Sequence, residues 1–146
     1  MKISEKRILL IEDNPDDEFL TIDALRENNI VNPVDVCRDG AEALEYLFCE
    51  GKYASRDATK MPALTLLDLN LPKVSGVDVL KRIRADARTK NLTVVVLTTS
   101  AEQVDLINSY SLGCNSYVRK PVKMDAFVEA VGKLGAYWLE VNKSAQ

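Results

Sequence analysis

Five short apolar runs, separated by stretches of helical periodicity, do most to narrow what this chain can fold into. They are ILLI from Ile8, VDVC from Val34, LTLL from Leu64, VVVL from Val94 and NSYV from Asn115. The stretches between them carry helix-start signals. Asn14 is placed to cap a helix with Pro15 at its first position, and Asp16, Asp17 and Glu18 suit the positive end of the helix dipole. Asp39 with Glu42, Ser75 with Asp78, and Ser100 with Gln103 have capping-box spacing, while Gly113 is placed to stop the fourth helix. Strict alternation of strand and helix predicts an α/β fold: a doubly wound, five-stranded parallel sheet with five helices on its two faces. The first, third and fourth runs are almost purely apolar, as central strands are, and the second and fifth carry polar residues, as edges do. That places them in the order 2-1-3-4-5, with ligands expected outside the carboxyl ends of the strands near the switch point.

Those carboxyl ends carry the chemistry. The first run is followed by Glu12 and Asp13, the third by Asp68, the fourth by Thr98, and the fifth leads into Lys120-Pro121. Three carboxylates, a hydroxyl and an ammonium therefore converge on one rim. Carboxylates packed together repel unless a cation holds them, and an all-oxygen ligand set points to a hard ion such as Mg²⁺. A carboxylate is ionised at neutral pH and needs no general base to act as a nucleophile. Its obstacle is the negative charge of a phosphoryl group, which Mg²⁺ and Lys120 would offset while Thr98 donates to a phosphoryl oxygen. The set is suited to forming an aspartyl phosphate on Asp68.

Composition excludes much else. The chain of 146 residues has no histidine, so it offers no Ser-His or Cys-His pair, no imidazole acid or base, and no usual zinc site. Its net charge is -3 and its basic residues are scattered, which argues against nucleic acid and anionic membranes as partners. The only apolar stretch near the start is ILLI, so neither secretion nor membrane insertion is indicated and a cytoplasmic location is expected. Cys37, Cys49 and Cys114 form no CxxC and read as reduced, partly buried thiols. The length suits one domain over 1–146, with a body from about 6 to 135 and a last helix reaching about 142.

The ordered set of Glu12-Asp13 after ILLI, Asp68 in LLDLNLP, Gly76, Thr98 in VVVLTTSA, and Tyr117 and Lys120 in YVRKP resembles the response-regulator receiver domain of two-component signalling. The spacings of 30 residues from Asp68 to Thr98 and 22 from Thr98 to Lys120 are usual for that family. The resemblance covers nearly the whole chain and implies a flavodoxin-like fold with Asp68 as phosphoacceptor. It further implies Mg²⁺ on Asp13, Asp68 and the backbone carbonyl of Asn70, with Glu12 acting through water. Thr98 and Lys120 would read the phosphoryl group and Tyr117 would swing inward when Thr98 moves. The Lys120-Pro121 bond would be cis, and Asn70 and Ser100 occupy the positions that tune autodephosphorylation. Finer features (IEDNPDD, the long segment from Gly51 to Pro62, the doublet Thr98-Thr99 and the pair Tyr137-Trp138) resemble single-domain regulators that serve phytochrome-type sensor histidine kinases.

The function expected is thus a phosphorylation-controlled binding module, not an enzyme beyond self-phosphorylation and autodephosphorylation. A kinase supplies the phosphohistidine that this chain lacks. Two alternatives from other classes are a phosphate-independent pseudo-receiver scaffold, against which the intact Asp68, Thr98 and Lys120 argue, and a Mg²⁺-dependent aspartyl phosphohydrolase. The latter lacks a second acid at Asn70 and a cap domain. A flavodoxin-like cofactor binder would need a Gly-rich phosphate loop after the first strand, and there is none. The segment from Gly51 to Pro62 reads as a solvated loop. In the last helix Phe127, Val131, Leu134, Trp138 and Val141 follow a heptad seam, and Trp138 and Val141 fall past what five strands need to cover. A homodimer through the fourth and fifth helices, anchored by Trp138, is expected. Light scattering of wild type and Trp138→Ala tests it, and a monomer with and without a phosphoryl mimic excludes it.

Overall fold

The computed structural model describes residues 7–27, 30–98, 114, 116–119 and 125. Five parallel strands, β1 (Ile8–Ile11), β2 (Val34–Cys37), β3 (Leu64–Asp68), β4 (Val94–Thr98) and β5 (Ser116–Arg119), form one sheet in the order β2-β1-β3-β4-β5. The α-helices placed among the described residues are α1 (Pro15–Glu27), α2 (Gly40–Phe48) and α3 (Gly76–Ala85). The expected fourth and fifth helices lie outside the described residues, as do Ser100, Gly113, the Lys120-Pro121 bond, Trp138 and Val141.

Successive strand residues point to opposite faces, and here both faces are covered. On one face Leu9, Ile11, Leu67, Val94 and Val96 meet Ala43 and Leu47 of α2 and Val79, Leu80 and Ile83 of α3. On the other, Ile8, Leu10, Leu64, Leu66, Val95 and Leu97 meet Ala24 and Leu25 of α1. β1 and β3 are buried at every residue whereas β2 is half-buried over its first three, so composition placed centre and edge correctly. The strand register is an outcome of the same pattern. A one-residue slip would turn these apolar sets away from the helices that cover them.

The caps expected at α1, α2 and α3 are present. The Asn14 side chain accepts from the amides of Asp16 and Asp17, Asp39 from Glu42, and Ser75 from Asp78. The box at α2 closes one residue early: the Glu42 carboxylate takes the amide of Arg38, not that of the cap residue Asp39. At the opposite end of the sheet, arginines gather main-chain carbonyls of the connecting segments and of the end of α2. Arg26 donates to Ile30 and Asn32, and Arg84 to Lys90 and Leu92. Arg56 donates to Tyr46 and Leu47 at the end of α2 and to Lys60.

The segment from Gly51 to Pro62 is largely exposed, as a solvated loop is, but Arg56 and two apolar side chains anchor it. The segment opens with a 3-10 turn at Gly51–Tyr53, and Tyr53 and Met61 pack against the core. The Arg56 guanidinium lies 4.3 Å from the centre of the Tyr46 ring, which meets the Tyr53 ring edge-on at 5.2 Å. Beneath it runs a polar chain along the β2 edge. Arg7 grips Asp35 through two hydrogen bonds, Tyr46 donates to the same carboxylate, and Tyr53 donates to Glu42. The Arg7 guanidinium lowers the Asp35 carboxyl despite partial burial. Burial, then donation to Asp35, raises the Tyr46 hydroxyl. Cys37, 3.9 Å from the Tyr53 hydroxyl, is pushed up to about 12 by burial and stays a thiol at neutral pH.

Glu42 is the member of this chain with a testable pH signature. Burial alone would raise its carboxyl, but Lys52, the Arg38 amide and the Tyr53 hydroxyl hold it at about 2, against an ordinary 4.5. A carboxyl depressed on folding stabilises the fold above its unfolded value and loses that contribution as pH falls through the folded one. The window is therefore about 4.5 down to about 2. Denaturant titrations across this range should show Glu42→Gln losing less stability on acidification than wild type, and parallel curves would contradict the assignment.

Candidate functional site

At the carboxyl end of the sheet, β1 runs out into Glu12 and Asp13 and β3 ends on Asp68. The two strands are neighbours with Ile11 opposite Leu67, so the acids that follow arrive side by side. Glu12, Asp13 and Asp68 each offer a carboxylate oxygen, and these oxygens all lie within 4.8 Å of one another. Glu12 and Asp68 are buried and Asp13 is exposed, so the cluster meets solvent at Asp13. Glu12 also accepts from the Asn14 amide, tying the first acid to the start of α1. Asp68 accepts from the amide of Asn70 at 2.9 Å, and Asn70 is exposed beside it.

The β3–α3 loop is held from both sides. Gly76 donates its amide to Leu69, and a Cβ there would overlap the Asp68 carbonyl oxygen and Leu69 Cα. Across the loop, the amide of Gly40 donates to the carbonyl of Pro72 at 3.3 Å, and a Cβ on Gly40 would overlap the Val74 carbonyl oxygen. Lys73 sits between these contacts with φ of 67°, a left-handed conformation that costs a non-glycine residue about 1 kcal/mol. Its ammonium lies 3.4 Å from Asp39, the α2 cap. Sequence reasoning found Asp39 as a cap and Gly76 as part of a motif but missed Gly40 and Lys73. The contact that matters for them spans about thirty residues and leaves no local pattern.

The other expected members of the rim are placed only in part. Thr98 is the last residue of β4, one step beyond Leu97, which pairs with Asp68. That brings its backbone to the same edge, and its side chain lies outside the described set. Lys120 and Ser100 also lie outside it, Lys120 directly after the last residue of β5. Tyr117 pairs with Val96 and is 55 % exposed, an outward position.

The donor chemistry fits a hard divalent cation. Three carboxylates from three residues reach one point, with no nitrogen or sulfur ligand among them, and an open side remains for water or substrate. Beside that point Asp68 has one oxygen engaged by the Asn70 amide, which orients the carboxylate across the end of β3. A buried carboxylate so oriented, next to a cation, is equipped to attack an electrophilic phosphorus.

Comparison with known proteins agrees with this geometry. A family model described as the response regulator receiver domain matches residues 8–132. Response regulator Rcp1 of Synechocystis sp. is 38% identical over 92% of this chain and 90% of its own length. The probable methanogenesis regulatory protein FilR2 of Methanothrix harundinacea is 37% identical over 94% and 86%. Among solved structures, the bacteriophytochrome response regulator RtBRR superposes with a TM-score of 0.84 at 46% identity, covering 90% of this chain and 78% of that one. The phosphorylated cyanobacterial phytochrome response regulator RcpA gives 0.74 at 40%, covering 92% and 94%. The Mn²⁺-bound form of Rcp1 gives 0.74 at 38%, covering 92% and 95%.

Proposed function

The chain belongs to the response regulator receiver family, and from that premise we propose that it is a phosphorylation switch whose acceptor is Asp68. The observation that carries the reading is the meeting of Glu12, Asp13 and Asp68 at the end of β1 and β3, with Asp68 buried and oriented by the Asn70 amide. An Asp68 oxygen attacks the phosphorus of a phosphohistidine on a sensor kinase. The P–N bond breaks, the leaving imidazole takes up a proton, and an acyl phosphate remains on Asp68. Water later attacks the same phosphorus and returns inorganic phosphate and the free carboxylate.

A divalent cation, here Mg²⁺, would supply the positive charge that lets two anionic groups approach. Asp13, Asp68 and the Asn70 carbonyl would hold it, with Glu12 acting through water. Lys120 and Thr98 then hold the transferred group, Asn70 and Ser100 set how readily water reaches it, and Tyr117 turns inward from its exposed position to report the change. Its own catalysis goes no further than this transfer and self-hydrolysis. The output is a change in protein contacts, including a homodimer through the last helices at Trp138.

The partner kinase we assign to the phytochrome type. The resemblance to Rcp1, RcpA and RtBRR, at 38%, 40% and 46% identity, supports this, and FilR2 is similar at 37%. The core test is intact-protein mass after incubation with Mg²⁺ and acetyl phosphate. One phosphoryl adduct is expected on wild type, none without Mg²⁺, and none on Asp68→Asn. An adduct that survives Asp68→Asn at full yield would move the acceptor elsewhere. Failure of wild type to take either phosphate or a beryllofluoride mimic would favour a phosphate-independent scaffold.

A further inference from the structure

Asp39 and Gly40 lie outside the set of residues that ligates or accepts, yet they meet the β3–α3 loop at three points. The Gly40 amide donates to Pro72, the Gly40 Cα faces the Val74 carbonyl with no room for a Cβ, and Asp39 pairs with Lys73. The same Asp39 caps α2 by accepting from the Glu42 amide at 2.7 Å. We propose that the N-terminus of α2, through Asp39 and Gly40, is a positioning element that sets the β3–α3 loop and thereby the cation affinity of the Glu12, Asp13 and Asp68 rim.

The loop has little freedom once both flanks are fixed. Gly76 presses on Asp68 and Leu69 at one end, and Pro72, Lys73 and Val74 are held by α2 at the other. Asn70 lies between these two contacts. A shift of α2 by a few tenths of an ångström must therefore be taken up by the loop that carries Asn70. Val74 is itself packed against the core cluster shared by α2 and α3, so it cannot simply swing away. Linkage makes the coupling reciprocal: if α2 sets the affinity of the rim for a cation, the cation must alter the environment of the α2 N-terminus.

This inference rests on the cation reading of the rim, and its test separates the two. Amide resonances of the full chain are followed while Mg²⁺ alone is added stepwise. The Gly40 and Glu42 amides are expected to move with the same midpoint as that of Asn70, while Gly51, on the far side of α2, stays still. Movement at Asp13 and Asn70 with Gly40 and Glu42 stationary overturns the positioning role and leaves the cation site standing. No movement at any of them overturns both.

Calorimetric Mg²⁺ binding gives the second readout. Gly40→Ala is expected to weaken affinity about tenfold or more, the usual cost of disturbing a group that supports metal ligands. Lys73→Met, which removes an ion pair whose lysine is 70% exposed, should cost no more than about fivefold. Gly51→Ala is the control, since an added Cβ meets the flexible Glu45 carboxyl at 2.7 Å and touches no part of the loop. It should lower stability and leave Mg²⁺ affinity at the wild-type value. Equal affinity in Gly40→Ala and wild type overturns the proposal. Should Gly40→Ala fail to fold, the wild-type amide measurement decides alone.

Discussion

Asp68→Asn is expected to melt several degrees above the wild-type chain in the absence of metal, and to lose most of the further rise that Mg²⁺ gives the wild type. The reason is the rim itself. Glu12, Asp13 and Asp68 bring carboxylate oxygens within 4.8 Å of one another, and two of the three residues are buried. At that separation two unit charges in an effective dielectric of about 20 repel by roughly 3 kcal/mol, and Asp68 takes part in two such pairs. Solvent offsets part of this, so a net gain of about 2 kcal/mol on neutralising Asp68 is the reasonable scale. The amide of asparagine retains an oxygen for the Asn70 amide, so the loop contact survives the change. With a cation at 100 times its dissociation constant, wild type should instead gain about 2.7 kcal/mol, overtaking the variant. Differential scanning calorimetry with and without Mg²⁺ reads both numbers. A variant less stable than wild type without metal would mean that Asp68 contributes more through bonds than it costs through charge.

Such a crossing of stabilities would account for a folded chain keeping a motif that works against it. The apolar residues of LTLLDLN carry β3 through the centre of the sheet, and Asp68 closes the buried strand two residues before the exposed Asn70. Much of this was legible in sequence because it is written in local order. The starts of β1 to β4 fall where the apolar runs begin, and β5 begins at Ser116, one residue after the expected Asn115. Asn14, Asp39 and Ser75 cap as their side chains dictate. The carboxylates converge because the strand order brings their strand ends together.

Contacts between segments far apart in the chain were not legible. Arg7 and Asp35 are 28 residues apart, and Arg56 folds back on α2 through main-chain carbonyls that any sequence would provide. An arginine that captures carbonyls has no periodicity and no fixed partner type, so the anchors of the segment from Gly51 to Pro62 do not show in its composition. The early closure of the α2 box has the same origin. Glu42 is drawn toward Arg38, Lys52 and Tyr53, and only the first of these is near enough in sequence to suggest it.

Gly76→Ala should be strongly destabilising and should harm fold and site together. Gly76 opens α3, where alanine would ordinarily be favoured over glycine by up to about 1 kcal/mol. Its φ is not in the left-handed region, so backbone freedom is not what the position requires. What it requires is space: an added Cβ would overlap the Asp68 carbonyl oxygen and Leu69 Cα. Both atoms belong to the backbone leaving a central strand, held by the hydrogen bond from Leu69 to Leu97 on β4, so neither can yield as a flexible side chain would. Relief must come from moving the start of α3 or the end of β3. Overpacking of this kind costs about 3 kcal/mol, which lowers the melting midpoint by roughly 10 °C in a chain of this length. Moving the end of β3 also moves the Asp68 carboxylate relative to Glu12 and Asp13, so the stabilisation by Mg²⁺ should shrink in the same variant. The sign of the stability change separates the two causes cleanly, because helix propensity alone makes alanine stabilising and the steric argument makes it destabilising. A variant as stable as wild type, with its full response to Mg²⁺, would show that the loop can open at Gly76. The clamp on Asn70 would then have to come from the α2 side alone.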